Sequence, residues 1–189
     1  AVGFLALCKN TASNNTAVGR SALRNTTTGA NNTAVGICGL VANTTGTLNV
    51  AIGAFSLRNN TTGGANVSLG VDALHDNLVG NNNTAIGHST LANNTASNNT
   101  AVGNSALINT TTGQRNVAVG QGAMVANVGG SYNTAVGRNA ALCGVTAAKV
   151  TALGYAALRL NTQNCNTAVG YYALNKNTTG DRNTAVGVS

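Results

Sequence analysis

Small and branched apolar residues recur at fixed distances along this chain, each time just before a glycine. The motif glycines follow one another at intervals of 16 or 17 residues. They are Gly3, Gly19, Gly36, Gly53, Gly70, Gly87, Gly103, Gly120, Gly137, Gly154, Gly170 and Gly187. Self-similarity at a fixed period is the signature of a repeat architecture. We therefore predict that residues 1–189 form a single repeat array of about eleven coils.

The two residues before the motif glycine are the strictest part of the repeat. With the motif glycine as position 0, alanine stands at position −2 in eleven of twelve units, and position −1 is always Val, Ile or Leu. Neighbouring residues of a strand point to opposite faces, so this pattern predicts a strand that is buried on both sides. Such strands belong to parallel sheets with a layer packed on each face. We therefore expect a partner chain outside the coil.

This interpretation assigns each of the two columns a role. The aliphatic column, at position −1, is expected to form the structural core: Val18, Val35, Ile52, Leu69, Ile86, Val102, Val119, Val136, Val169 and Val186. The alanine column, at position −2, is expected to form an oligomer interface: Ala17, Ala34, Ala51, Ala85, Ala101, Ala118, Ala135, Ala168 and Ala185.

A second apolar column lies at position +4, where leucine dominates from Leu7 to Leu174 and Ala141 is the exception. It predicts a second short strand in every coil. A helix is disfavoured, because no apolar stripe of period 3.6 extends beyond about one turn. The sequence thus predicts an all-β, parallel β-solenoid or β-roll of 16–17-residue coils with two short strands each.

Polar positions predict how the coils turn and stack. Glycine stands at position +10 in seven of the eight 17-residue units, which predicts a turn that needs a positive φ. Asparagine dominates position −4, the asparagine column, and side-chain amides stacked at ~4.8 Å can form a hydrogen-bonded ladder. Its members are Asn15, Asn32, Asn49, Asn66, Asn83, Asn99, Asn116, Asn133, Asn166 and Asn183. Eleven coils at that spacing would form a rod of roughly 53 Å.

The composition argues against several classes of function. Only 7% of residues are charged, and the positive residues behind the net charge of +7 are scattered over several columns, so we expect no nucleic-acid partner. No apolar run approaches the length of a membrane span, which predicts no membrane insertion by this segment. The array starts and stops inside the motif, and we expect it to be a fragment of a longer fibre.

Candidate chemical groups are few. Asp72, His75, Asp76 and His88 lie on adjacent coils but at variable positions, and we interpret them as surface residues rather than metal ligands. With three carboxylates and two histidines in the chain, we expect no enzyme activity, cofactor or metal.

The cysteines and one irregular unit leave alternatives open. Cys143 and Cys165 lie in neighbouring coils and form either a disulfide or two free packed thiols, while Cys8 and Cys38 are too far apart to pair. The unit from Gly137 to Gly154 departs from the repeat at four columns, which indicates a local distortion, a docking position or plain decay of the repeat.

The repeat resembles known fibre families. Asn49-Val50-Ala51-Ile52-Gly53, followed by a small residue such as Ser56, resembles the head repeats of YadA-like trimeric autotransporter adhesins. The longer phrase Asn-Thr-Ala-Val-Gly-x-x-Ala-Leu-x-x-Asn-Thr-Thr-Gly is similar to repeats of phage and large-virus tail fibres. The resemblance implies a left-handed parallel β-roll with three chains side by side, although the unit here is longer than that of the adhesin heads.

Together these observations predict a non-enzymatic structural or adhesive fibre segment, the shaft or head of an attachment fibre. The implied location is extracellular, on a cell or virion surface, and the implied partners are further copies of the chain, as a homotrimer, and an unidentified surface receptor or glycan. Ice binding through threonine and asparagine ladders is the alternative. Against it, the threonines at position −3 flank a strand that is expected to be buried, and those at position +8 lie in a turn.

Overall fold

The computed structural model describes residues 1–189 and contains one three-residue strand per coil. The strands are β1 Thr16–Val18, β2 Thr33–Val35, β3 Val50–Ile52, β4 Val67–Leu69, β5 Thr84–Ile86, β6 Thr100–Val102, β7 Val117–Val119, β8 Thr134–Val136, β9 Thr151–Leu153, β10 Thr167–Val169 and β11 Thr184–Val186. They form one parallel sheet in sequence order. Each residue pairs with its equivalent one coil away, as Ala17 does with Ala34. The all-β parallel solenoid is thus confirmed, with about ten turns of ~17 residues where about eleven coils were expected.

The inside of the coil is filled by small side chains. The alanine column points inward and is fully buried in the single chain, as at Ala51 and Ala101. The alanines at position +3 and the leucine column at position +4 complete the apolar core. The expected oligomer interface at Ala17, Ala34, Ala51, Ala85, Ala101, Ala118, Ala135, Ala168 and Ala185 is therefore wrong. These methyl groups are enclosed by their own coil, apart from Ala185 in the last coil, which is half-buried.

The aliphatic column points the other way. Because successive residues of a strand alternate between faces, an inward alanine forces its neighbour outward. Ile52 retains 39% of its exposure and Leu69 44%. The expected core at Val18, Val35, Ile52, Leu69, Ile86, Val102, Val119, Val136, Val169 and Val186 is thus an outer surface, and each strand is buried on one face only.

The leucine column does not form a second strand. Leu57 and its equivalents have φ near 50°, and the residue at position +2, such as Phe55, is also left-handed with φ of 58°. Alternating left-handed residues curl the backbone into a series of turns, which carries the leucine side chain into the core, where Leu57 is fully buried. The left-handed conformation is costly for an L-residue, so burial and inter-coil hydrogen bonds must hold it.

Asparagine forms a ladder inside the solenoid, interrupted only at Val150. In the asparagine column, Oδ1 of Asn49 accepts the backbone N–H of Asn66 at 3.0 Å, and Oδ1 of Asn66 accepts that of Asn83 at 3.0 Å. The amide nitrogen of Asn66 donates to the carbonyl of Gly80 at 2.9 Å. These side chains are completely buried. A buried polar group is stable only when it is paired, and here the neighbouring coil supplies the partner.

A second column of mostly buried asparagines, at position +7, stabilises the turn by hydrogen bonds from the side-chain amides. Asn43 donates to the carbonyl of Gly46 at 3.1 Å. The turn glycines have no positive φ, so that expectation is wrong. They are needed because a Cβ on Gly46 would overlap Oδ1 of Asn43 and the carbonyl oxygen of Gly63 in the next coil. In the 16-residue coils one threonine is missing, and Ala12, Ala96 and Gln163 supply the equivalent carbonyl.

The irregular unit between Gly137 and Gly154 keeps its register, since β9 pairs normally with both neighbours. The four departures, Ala141, Gly144, Ala147 and Val150, instead line one internal cavity of about 10 Å³, together with Met124, Asn133 and Asn161. Ala141 has φ of 48°, like the leucines of its column. The backbone therefore keeps its register, and Ala141 and Gly144 replace larger side chains beside this shared space.

We expect Ala141→Leu to raise the free energy of unfolding by about 1–2 kcal/mol, because leucine would fill the cavity in the conformation used by the other coils. Chemical denaturation of both proteins measures the change. Ala140→Leu is the matched control and should be destabilising, since Ala140 is fully buried and does not line the cavity. Equal or lower stability of Ala141→Leu would contradict the prediction.

Candidate association surface

The outward face of the sheet carries two parallel columns of side chains. One is the threonine column at position −3, which contains eight threonines and the valines Val50, Val67 and Val117. The other is the aliphatic column at position −1. Neither column contains a charged residue, and the eleven strands extend it over about 48 Å at the ~4.8 Å strand spacing. The result is a long, uncharged, half-apolar face on the isolated chain.

Burial of this face would contribute a free energy comparable to the free-energy cost of association. Complete burial of a Val, Leu or Ile side chain contributes about 1.5–3 kcal/mol. With about two fifths of each side chain still exposed, covering one coil would contribute about 0.6–1.2 kcal/mol, and ten coils about 6–12 kcal/mol. Association costs about 4–15 kcal/mol. A few coils could therefore not hold two chains together, whereas the whole array could.

The two sets of threonines differ in their hydrogen bonding. At position +8 the hydroxyls are used within the chain, as when Thr44 donates to the carbonyl of Thr61 at 3.1 Å. Thr95 donates to Thr111 in the same way at 2.8 Å. In the threonine column at position −3, the hydroxyls make no hydrogen bond within the chain. The outward face thus offers a regular row of free hydroxyl groups beside the aliphatic column.

Two rows of varied residues border this face, one at each edge. The entry rim, at position −5, precedes the strands: Asn14, Asn31, Leu48, Ala65, Asn82, Asn98, Arg115, Tyr132, Lys149, Cys165 and Arg182. The exit rim, at position +1, follows them: Arg20, Ile37, Ala54, Val71, His88, Asn104, Gln121, Arg138, Tyr155, Tyr171 and Val188. All these residues are exposed or half-buried. The face therefore has a uniform centre and rims that differ from coil to coil.

Aromatic and cationic side chains gather on the rims of the C-terminal half. Arg115 lies over the ring of Tyr132 at 5.3 Å and donates to its hydroxyl. On the exit rim, Arg138 lies 5.9 Å from the ring of Tyr155, which stacks on Tyr171 at 5.3 Å. Such contacts hold long side chains in place.

Tyr172, at position +2, extends this aromatic group beyond the exit rim. Its ring meets that of Tyr171 edge to face, with 4.6 Å between centroids. The hydroxyl of Tyr155 next to it raises the pKa of Tyr172 above its usual 10.0. The phenol of Tyr172 is therefore neutral at physiological pH and adds no negative charge beside the arginines.

The acidic and histidine residues do not converge. His75 Nδ1 lies 2.7 Å from Oδ1 of Asp76, which also accepts a hydrogen bond from Asn59. His88 lies near Asn104 instead, at 3.4 Å. The structure brings together no group of three histidine, cysteine, aspartate or glutamate residues. Of Asp72, His75, Asp76 and His88, only His75 and Asp76 contact each other.

All four cysteines are free, so the disulfide hypothesis for Cys143 and Cys165 is wrong and the free-thiol alternative holds. The backbone explains the separation. Cys143 donates its N–H to Arg159 in the next coil, whereas Cys165 donates to Ala148 in the preceding one. The two residues therefore stack on different parts of the coil wall.

The structure contains no helix with the length and apolar character needed to span a membrane. No protein-family model, curated protein or solved structure matches this chain.

Proposed function

We propose that this chain is a structural segment of an attachment fibre and that it associates with copies of itself through the outward face of its sheet. The observation that carries the proposal is the aliphatic column, which stays partly exposed over all eleven strands. An exposed apolar patch larger than a few hundred Å² usually marks an interaction site. A second copy, which carries the same long flat face, is the partner that matches it in length.

The alanine column and the aliphatic column thus exchange the roles expected from the sequence, and a partner chain is still needed. The alanines close the coil, and the aliphatic residues with their neighbouring threonines form the contact between chains. A side-by-side homotrimer is the assembly that the resemblance to adhesin and tail-fibre repeats implies, and it would place the segment on a cell or virion surface. In this role the chain is not an enzyme, and a surface receptor or glycan would be bound by varied exposed residues or by other parts of the fibre.

Lysine placed in the aliphatic column should dissociate the assembly. We expect the double variant Ile52→Lys, Ile86→Lys to be monomeric at concentrations where the unchanged chain is oligomeric, because burial of two unpaired ammonium groups opposes association. Sedimentation velocity or mass photometry measures the stoichiometry. The matched control is Thr62→Lys, Thr112→Lys, which changes two exposed turn residues of a different face and should stay oligomeric. A monomeric unchanged chain would contradict the proposal.

Ice binding remains a second candidate because of the threonine column. Its hydroxyls point outward from a regular sheet and have no partner in the chain, which removes the objection that this strand is buried. In that function the face would order water rather than contact a second chain. A thermal-hysteresis measurement on the monomer tests it, and a monomeric chain that depresses the freezing point without lowering the melting point would favour this candidate over the fibre.

A further inference from the structure

A uniform face does not determine how two copies align. If only the threonine and aliphatic columns met, one chain could slide along its neighbour by one coil, about 4.8 Å, and find almost the same contacts again. Repetitive interfaces of this kind specify register weakly unless irregular residues fix it. The rims are the irregular part of the surface, and they lie directly beside the uniform columns.

The two rims lie at opposite edges of the face. Position −5 lies two residues before the three-residue strand and position +1 lies two residues after it, so the two rim residues of one strand lie on opposite sides of the face. In a three-fold ring, the assembly proposed above, each interface is heterologous and joins different edges of the two subunits. With the chains parallel, the entry rim of one copy then faces the exit rim of its neighbour.

We propose that the rims set the register between copies, by pairing the entry-rim residue of each strand with the exit-rim residue of the same strand in the neighbouring chain. This inference rests on the proposed self-association. In register, Tyr132 of one copy meets Arg138 of the next at β8, and Lys149 meets Tyr155 at β9. Both are cation–π pairs, which are attractive in exposed positions.

At other strands the entry-rim and exit-rim residues that meet in register are also chemically matched. At β3, Leu48 meets Ala54, so both partners are apolar. At β10, Cys165 meets Tyr171, a sulfur–aromatic contact. At β6, Asn98 would meet Asn104, two amides that can hydrogen-bond. Two pairs are mismatched, Asn31 with Ile37 at β2 and Arg182 with Val188 at β11. Matching of chemical type along both halves of the rod favours the unshifted alignment.

Slipped alignments bring like charges together. A shift by one coil in one direction places Arg138 against Arg115, and a shift in the other direction places it against Lys149. Each slip therefore replaces the cation–π contact of Arg138 by a repulsive pair, and in a closed ring a copy that slips one way against one neighbour slips the other way against its second neighbour. The uniform columns supply the attraction, and Arg138 with its flanking partners excludes the neighbouring registers.

Disulfide trapping tests the alignment. In a chain whose four cysteines are changed to serine, the pair Asn98→Cys, Asn104→Cys reports the register of β6, and Asn98→Cys, Gln121→Cys reports a slip by one coil. All three positions are exposed, and Cys165 shows that cysteine fits the left-handed entry rim, with φ of 59°. With oxidised glutathione as the oxidant, we expect the in-register pair to form intermolecular disulfides about tenfold faster, equivalent to 1.4 kcal/mol.

Arg138→Glu provides the second arm, because a carboxylate at this position would attract Arg115 or Lys149 in the slipped alignments. We expect the substitution to raise the yield of the slipped pair to at least that of the in-register pair, with the fold checked by circular dichroism and the stoichiometry by sedimentation. Equal trapping of both pairs in an oligomeric chain, or an unchanged ratio in Arg138→Glu, would overturn the register inference alone. A chain that is monomeric throughout would overturn the proposed function as well.

Discussion

Replacement of Gly120 by alanine is expected to lower the free energy of unfolding by about 2–6 kcal/mol. Gly120 has φ of 131°, which L-residues rarely adopt, and a Cβ there would lie 2.6 Å from both the carbonyl carbon and oxygen of Gly137 in the next coil. Neither atom can move without separating the coils. The motif glycine is thus required by backbone conformation and by inter-coil spacing together.

The same substitution at Gly39 is the matched control and should have the opposite sign. Gly39 occupies position +3, where alanine is usual, its φ is not positive, and its nearest contact from a new Cβ would be Ala34 Cβ at 3.6 Å. We expect Gly39→Ala to stabilise the chain by about 0.4–1 kcal/mol, through the reduced freedom of the unfolded state. Denaturant unfolding measures both variants, with amide hydrogen exchange to locate the change. Similar effects of the two substitutions would contradict the explanation.

Asn66→Val is expected to destabilise the solenoid by about 2–4 kcal/mol, because the buried N–H of Asn83 loses its acceptor and two hydrogen bonds from the Asn66 amide nitrogen are lost. Amide exchange at Asn83 should accelerate more than exchange at the far end of the array. Asn82→Ala is the control, since this exposed neighbour makes no side-chain hydrogen bond and Ala65 occupies its column one coil earlier.

Val150 allows the opposite substitution, from an apolar residue to asparagine, to be tested in the same column. Val150 interrupts the asparagine column, and the N–H of Asn166 in the next coil has no asparagine oxygen to accept it. Val150→Asn should restore that bond and raise stability by about 0.5–1.5 kcal/mol. If Asn66→Val were neutral and Val150→Asn gave no gain, the ladder would not be a source of stability.

The periodicity predicted the solenoid, the length of each coil and the register between coils, because the motif glycine and the asparagine column repeat along the whole chain. The assignment of the two strand faces, with the aliphatic column inside and the alanine column outside, was wrong. Asn49 and Ala51 are two residues apart and therefore share a face, so a buried asparagine column would have placed the alanines inside and Ile52 outside. That signal is present in the sequence, but the strict apolar character of both columns favours burial on both sides and outweighs it.

Other features had no local signal. The left-handed conformation of Leu57 and Phe55 contradicts the preference of these residue types, and only the surrounding coil makes it favourable. The need for Gly46 arises from contact with Asn43 and with the next coil, which a conformational rule for turns cannot show. The proposed pairing of rims, such as Tyr132 with Arg138, depends on which residues face outward, and a wrong assignment of the faces does not lead to it.

The backbone hydrogen bonds between coils have a mechanical consequence. Bonds such as the one from Gly120 to Val102, at 2.8 Å, run from coil to coil and so lie along the length of the rod. A force that pulls the ends apart would load the bonds of the terminal coil first and unwind the chain one coil at a time. Each released coil of about 17 residues would lengthen the tether by about 50 Å. A surface fibre built this way would yield in steps under tension and dissipate the load before its anchor failed.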